Sequence, residues 1–477
     1  MARTSPVALA ALALVLSGAC SMAPPYHVPP IDAAAHYRTV GPWTPAQPGD
    51  RINRDGWWTI YHDRRLNTLQ ETLASNNPDL SAAMAHYAQA QAYLVQVRSD
   101  LFPSLKGFAS PQRIRQSDTR PLRATGGPSA YNSATVGVEL DYEVDLWGRV
   151  RNAVNAGTDE ALAAAADLAS ARLSLQTQLT DDYVRLRGLD QQAQLLSSTA
   201  EAFAKALSLT EGLHGGGIVS GLDVARARTQ LSTAKSQLSQ NQAQRALMEH
   251  AIAALVGAQP AQFNVPVDTT RIELPSVPTG VPSALLQRRP DIAAAERRVA
   301  EANARIGIAR AAYFPTITLG PQIGYQSDQY AGLLSAPNLF WSIGPSLVAT
   351  LLDGGKRKAG VDAARAATDE AASHYRSTVL GAFQQVEDNL SLIAVLGSAL
   401  QDQRDAASAA QDSESLALSQ YKDGGAGYLD VVEAQTTALQ AQSSVLDLQT
   451  RQLSANVQLV KALGGGWSVE RGDQAAR

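Results

Sequence analysis

Residues 135 to 146 read TVGVELDYEVDL. Val136, Val138, Leu140, Tyr142, Val144 and Leu146 fall on one side, and Gly137, Glu139, Asp141, Glu143 and Asp145 on the other. Alternation of this length predicts a strand with one apolar and one wet face. The pattern recurs where Ile317, Leu319, Ile323 and Tyr325 oppose Thr318, Gly320, Gln322 and Gln326. It recurs again where Trp341, Ile343 and Leu347 oppose Ser342, Gly344, Ser346 and Thr350. Leu105 to Gln112 alternates poorly. Elsewhere the period is helical. Residues 150–213 contain no proline, and at 1.5 Å per residue they reach roughly 95 Å. Two seven-residue series run through them. One is Leu168, Leu175, Leu189, Leu196 and Phe203, interrupted by Asp182; the other is Leu179, Leu186, Ala193, Ala200 and Leu207. Such spacing marks helices packed knobs-into-holes, and a solvated coiled-coil stalk shows the same series.

The chain repeats itself. Residues 78–105 laid on 290–317 give 10 identities in 28, with Arg98, Phe102 and Pro103 matching Arg310, Phe314 and Pro315, 212 positions on. Further along the offset falls to 207: Gly148-Arg149 matches Gly355-Lys356, and GLDVARA at 221–227 matches YLDVVEA at 428–434. The lost five residues fit a shorter hairpin loop in the second copy. Each copy predicts a helix (78–101; 290–312), a strand pair (about 104–112 and 133–146; about 316–326 and 340–351), a very long helix (150–213; 355–422), a glycine turn and a returning helix (222–256; 429–463). Phe-Pro is the corner between helix and strand, because proline fixes φ, lacks an N–H and disfavours helix at the residue before it.

The remaining segments follow from these. Residues 1–19 carry Arg3, an apolar run from Val7 to Leu16 and then small residues, the layout of a signal peptide. Cys20, the only cysteine, follows them and resembles a lipobox cysteine, so a covalent lipid on Cys20 is the one attached group expected. Leu16 sits one step farther from Cys20 than is usual for such a site. Ser21 after it favours the outer membrane. Residues 20–77 form the lipidated N-terminal segment and equatorial elements, 78–257 the first repeat, 258–289 a linker with further equatorial elements, 290–464 the second repeat and 465–477 a tail. Of 477 residues 45% are apolar but only 6% aromatic, which suits long helices, and the net charge of −4 argues against nucleic acid.

Four strands cannot close a barrel, for which about eight are needed, and open strand edges are not viable in lipid. Several copies must therefore pool their strands. Glu139, Asp141, Glu143 and Asp145 then suit a water-filled lumen. The fold class expected is mainly α with a transmembrane β-barrel portion, built from duplicated strand-hairpin and long-helix units.

The motifs CSMAPPYHVPP, RRPDIAAAE, FPTITL, DLWGRVR, LLDGGKRKA, YLDVVEAQ and ALGGGW, in this order over nearly the whole chain, resemble the outer membrane factors, the TolC-like export tunnels. The closest likeness is to the lipidated subgroup serving multidrug efflux pumps of the resistance-nodulation-division type. The resemblance implies a homotrimeric α/β tunnel with a shared twelve-stranded barrel, a long periplasmic α-barrel and an equatorial belt. It implies a lipid-anchored place in the outer membrane, a periplasmic adaptor and an inner-membrane pump as partners, and passive transport. The family's tip motif maps to Gly217 with Asp223 and to Gly424 with Asp430, expected as adaptor-contact tips. Its periplasmic gate maps to Tyr421, Asp430 and Glu433. The matching Arg position is Ala426, a departure for which Arg226 of the other repeat is a candidate substitute.

No catalytic constellation is present. The seven histidines lack ligand spacing, and HGGGI at 214–218 has no nucleophile elbow beside it. An enzyme is not expected. The alternatives are a structural or adhesive coiled-coil surface lipoprotein, which needs no acidic lumen, and a stand-alone porin-like channel, which needs more strands per chain.

Overall fold

The computed structural model describes residues 21–31, 37–38, 56–117, 119, 129–277 and 289–465. Helices come in matched sizes. Besides α1 (Arg64–Asn76), the first repeat holds α2 (Pro78–Ser99), α3 (Arg149–Gly215) and α4 (Gly221–Leu255); the second holds α5 (Pro290–Ala311), α6 (Lys356–Lys422) and α7 (Tyr428–Ala462). The pairs have identical lengths of 22, 67 and 35 residues. Both helix-to-strand corners are made alike. Phe102 N donates to Ser99 O and Phe314 N to Ala311 O, each at 3.0 Å, and the strand begins at the residue after the following proline. The chain divides into two compact units.

The first unit includes His86–Ala165 and Ala294–Arg376. Its sheet contains β1 (Ser104–Arg115), β2 (Ala130–Glu143), β3 (Thr316–Leu319), β4 (Gln322–Ser327), β5 (Leu339–Ser342) and β6 (Pro345–Val348). β1 pairs with β2 along its whole length despite its weak alternation. The other side of β2 pairs with β3 and β4, which pair in turn with β6 and β5. The two later strands, expected continuous, are each interrupted, at Gly320-Pro321 and at Ile343-Gly344. Proline offers no ladder N–H and glycine no side chain to pack. Register is the same on both sides of the gap, which places Gly320 opposite Gly344. It also obeys the internal repeat: Ser104 pairs with Asp141, and their counterparts 212 and 207 positions on, Thr316 and Val348, pair with each other. β2 ends at Glu143, so Asp145 lies beyond the strand rather than on its wet face.

The second unit includes Ile31–Ala85, Ala166–Ala293 and Ser377–Arg477. Here α3 is no free stalk. Leu179, Tyr183 and Leu186 are fully buried beneath Trp57, Trp58, Leu66 and Leu73, which come from a 3-10 turn (Trp57–Tyr61) and α1. Each such leucine contributes about 1.5–3 kcal/mol by leaving water. Arg187 ties the belt down. It donates to Asp63 Oδ2 (2.8 Å), to the Asp268 carbonyl (2.7 Å) and to the Thr270 carbonyl (2.7 Å). Asp63 in turn caps α1, accepting from the Arg65 and Leu66 amides. The residue before each repeat's Pro-Asp closes that repeat: Asn77 donates to the Leu255 carbonyl (2.7 Å), and Arg289 to that of Ala462 (3.0 Å).

Candidate channel wall, gate and anchor

Residues opposite one another in an antiparallel ladder share a face. On one face of the sheet lie Leu105, Val138, Leu140, Ile323, Trp341 and Ile343. Leu105, Trp341 and Ile343 are 70%, 69% and 74% exposed, which puts an apolar surface on the outside. The opposite face carries Lys106, Glu139, Asp141, Gln322 and Ser342. The expected acidic row is partly neutralised. Lys106 pairs with Asp141 at 2.8 Å, Arg149 with Glu143 at 2.6 Å, and Arg151 with Asp145 at 3.3 Å. Asp145 Oδ2 also accepts the Arg151 amide at 2.9 Å, so it serves the start of α3. Glu139 and Asp141 are the carboxylates that remain on the strand's polar face with wide exposure. The same face holds a row that sequence reading missed: Phe108, Gly137, Gly324 and Phe340 lie side by side on four strands. Each phenyl lies over the neighbouring glycine. A β-carbon at Gly137 would meet Phe108 Cζ at 2.8 Å, and one at Gly324 would meet Phe340 Cε1 at 3.0 Å.

In the second unit the two hairpin turns are built alike. Gly217 (φ 75°) and Gly424 (φ 76°) take the left-handed conformation that favours glycine. Asp223 Oδ2 accepts the Ser220 amide (3.3 Å), and Asp430 Oδ2 the Gly427 amide (2.9 Å), each stabilising the start of a returning helix. Tyr421 is buried in an apolar cluster with Ala227, Tyr428 and Val431. Its ring meets Tyr428 edge-on at 5.2 Å, and its buried hydroxyl has no hydrogen-bond partner among the described residues. Tyr428 bonds Thr210, and burial pushes its phenol up. Tyr428 was missed because its counterpart in the first repeat is Gly221. Glu433 is exposed. Arg226 is not brought to Asp430 or Glu433; it pairs with Asp223 of its own turn at 3.4 Å. A spacing of three residues on one helix face makes that local partner the nearer one. The departure at Ala426 is thus not compensated by Arg226 within one chain.

Cys20 lies outside the described residues, but the segment after it is pinned in the first unit. The Ser21 hydroxyl donates to Asn152 Oδ1 (3.0 Å), Arg310 to the Met22 carbonyl (3.2 Å), Asn303 to the Pro24 carbonyl (2.9 Å), and Tyr26 to Glu296 Oε1 (2.6 Å). Gly307 admits this strap: a β-carbon there would sit 2.8 Å from the Ala23 nitrogen. Among the described residues no helix is long and apolar enough to cross a membrane, and no cluster of metal-ligating side chains occurs.

A family model described as outer membrane efflux protein matches residues 69–258 and 281–465. The chain is 33% identical over 468 residues to a probable efflux pump outer membrane protein, TtgC, of Pseudomonas putida, covering 98% of this chain and 96% of that one. It is 31% identical to the pyoverdine export outer membrane protein OpmQ of Pseudomonas aeruginosa, over 96% of each. Among solved structures, the outer membrane protein VceC of Vibrio cholerae superposes with a TM-score of 0.81 at 30% identity, over 86% of this chain and 99% of that one. The open state of the MtrE outer membrane channel of Neisseria gonorrhoeae gives 0.82 at 27% identity, over 94% and 98%. An apolar-backed sheet, duplicated long helices and likeness along nearly the whole chain lead to one assignment: this chain belongs to the outer membrane efflux protein family and is the outer membrane component of an efflux system.

Proposed function

We propose that the chain works as a homotrimer, a passive duct through the outer membrane that an inner-membrane pump drives and a periplasmic adaptor opens. The observation that carries this reading is the sheet of the first unit. One face is apolar and exposed, the other polar, and the outer sides of β1 and of β5 and β6 pair with nothing among the described residues. In hydrocarbon each unpaired backbone group costs several kcal/mol. Three copies supplying four strand positions each remove every edge. The polar face then lines the bore, with Glu139, Asp141 and Lys106 on it.

The adaptor meets the two glycine turns, where Ile218, Leu222 and Leu429 are exposed apolar groups. Three copies of Asp430 and Glu433 form an acidic ring favouring cations at the periplasmic entrance. Cys20 carries a lipid. Ser21 is held on Asn152, four residues past the end of the corner that follows β2, so the strap delivers its first residue beside the membrane end of this unit. The work is transport rather than catalysis. Planar-bilayer conductance of the purified protein, with capture of an adaptor, tests the reading. A conducting trimer is expected; a detergent-free monomer that forms no pore overturns it.

A further inference from the structure

The internal repeat also says how separate copies meet. Inside one chain, β2 of the first repeat pairs with β3 and β4 of the second, Val138 opposite Ile323 and Glu139 opposite Gln322. The free edges are the counterparts of these strands. β5 and β6 stand where β2 stands, 207 positions on, and β1 stands where β3 and β4 stand, 212 positions back. The same two offsets already convert the β1–β2 register into the β3–β6 and β4–β5 registers without error. They therefore act as a ruler for the one junction a single chain cannot make.

We propose that the edge formed by β5 and β6 pairs antiparallel with β1 of a second copy in a single register, Ser346 opposite Ser110 and Pro345 opposite Pro111. This inference rests on the channel reading above and adds the register and the matching faces.

Three features agree with it. The faces match. Ser346 and Ser110 both lie on the polar side of their strands, and Pro345 and Pro111 on the apolar side, so no side chain changes environment. The prolines match too. Gln116 N donates to Ser129 O and Leu140 N to Pro321 O, and bonding sides alternate along each strand. By that alternation, the nitrogens of Pro111 and Pro345 point away from the sheet, toward the free edges. The inferred register sets these two missing donors against each other, at the counterpart of the Val138–Ile323 pair. Finally, unpartnered apolar groups collect at the same two margins. Phe102 is 71% exposed, whereas its counterpart Phe314 is stacked on Trp147 at 4.5 Å. The counterpart of Trp147 is Gly354, and beside it Leu351 and Leu352 are 92% and 90% exposed. On the helices, the Asn152–Gly307 approach has as its counterpart Ala359 with Val95, which is 67% exposed.

Cysteine pairs read the register directly. Ser110 and Ser346 form a non-hydrogen-bonded pair in this register, the type that brings opposed side chains closest, and Cys20 is the chain's only natural cysteine. The doubly substituted protein, S110C with S346C, is oxidised in outer membranes and run without reductant. A covalent trimer that collapses to monomer on reduction is expected. Each single variant, and the pair S110C with S342C, four residues out of step, stay monomeric on the same gel. Blue-native migration with reductant present checks that each variant still assembles. Cross-linking of the shifted pair in place of the matched one overturns the register. An assembled trimer in which neither pair cross-links overturns the junction while leaving the channel reading intact. A protein that never assembles overturns both.

Discussion

Replacing Gly137 with alanine adds one methyl group to the polar face of the sheet, at the centre of the Phe108–Gly137–Gly324–Phe340 row. That methyl would stand 2.6 Å from the Ile323 carbonyl oxygen, 2.8 Å from Phe108 Cζ and 3.0 Å from Gly324 Cα. The first two are closer than real side chains tolerate and the third is tighter than most, so something must move by several tenths of an ångström. The carbonyl and the Cα belong to the neighbouring strand and yield only if β2 and β4 part. The phenyl is held by its own rotamer and yields by swinging off the wall into the bore. Overpacking of this kind costs about 1–3 kcal/mol per site, and three copies would carry it at one level of the barrel. G137A therefore lowers the unfolding temperature and, by raising three rings, lowers single-channel conductance. The double variant F108A/G137A separates the two effects. It clears the bore and restores conductance, but keeps the carbonyl contact and so does not restore stability. If G137A conducts like the parent protein and melts with it, the rings do not lie flat over these glycines on the lumen side.

Other expectations follow from the belt and the tips. D430A loses both a charge and a helix cap, destabilising the tip by about 1 kcal/mol, whereas D430N keeps an acceptor for the Gly427 amide and isolates the charge. Reversal potentials under a salt gradient should show weaker cation preference in D430N and in E433Q, and an unchanged potential in both removes them from the entrance. R187A leaves Asp63 without its cation in a site where the two side chains are 4% and 15% exposed, a loss of about 3–5 kcal/mol. Denaturant unfolding should show it, and D63N/R187A should recover part. Burial pushes the Asp182 carboxyl up to about 6, the Asp181 charge adding to this and Arg185 opposing it. A raised acid binds more protons folded than unfolded, so its contribution falls as pH rises from about 4 through 6. D182N should raise the melting temperature at pH 7, not at pH 4; equal gains at both would refute the assignment.

Much of this architecture is legible in the chain because it was written twice. Phe102-Pro103 and Phe314-Pro315 announce their corners by the loss of an N–H, a purely local effect. β2 declares both faces in its own residues. β1 does not: Lys106, Gly107 and Pro111 blur its alternation, and its existence depends on a ladder to residues 15 to 37 positions away. The breaks at Gly320-Pro321 and Ile343-Gly344 were visible as residue types but not as interruptions, since proline at a strand edge is also tolerated. Asp182 breaks a heptad series, and its raised carboxyl is the physical counterpart of that break. The acidic row misled because Arg149 and Arg151 lie beyond the predicted strand that carries Glu143 and Asp145, and only the turn at Gly148 folds them back. At the tip, Arg226 was a reasonable partner by charge. A helix places it one turn from Asp223, and no sequence pattern states that the nearer acid wins.

The two junctions of this duplicated chain differ in chemistry, and the difference has a physical reason. Inside one chain, α3 meets α5 through charged and polar groups. Arg297 lies 3.7 Å from Asp159, burial raises the carboxyls of Asp159 and Glu301, and Tyr26 and Ser21 of the N-terminal strap are tied to Glu296 and Asn152. Such a junction forms once, between segments already joined, so it tolerates groups whose desolvation is only partly compensated. At the margins facing other copies, the counterparts of Asn152, Asp159 and Glu160 are Ala359, Ala366 and Ala367, and those of Gly307 and Glu301 are Val95 and Gln89. Joining separate copies costs about 4–15 kcal/mol in translational and rotational freedom. Alanine, valine and the exposed Phe102, Leu351 and Leu352 offset that through apolar burial at about 25 cal/mol per Å², with no buried charge to desolvate. The inner junction of the duplicated chain thus carries ion pairs and a strap, while the matching positions at the outer margin are mostly small or apolar, which suits identical chains closing on one another.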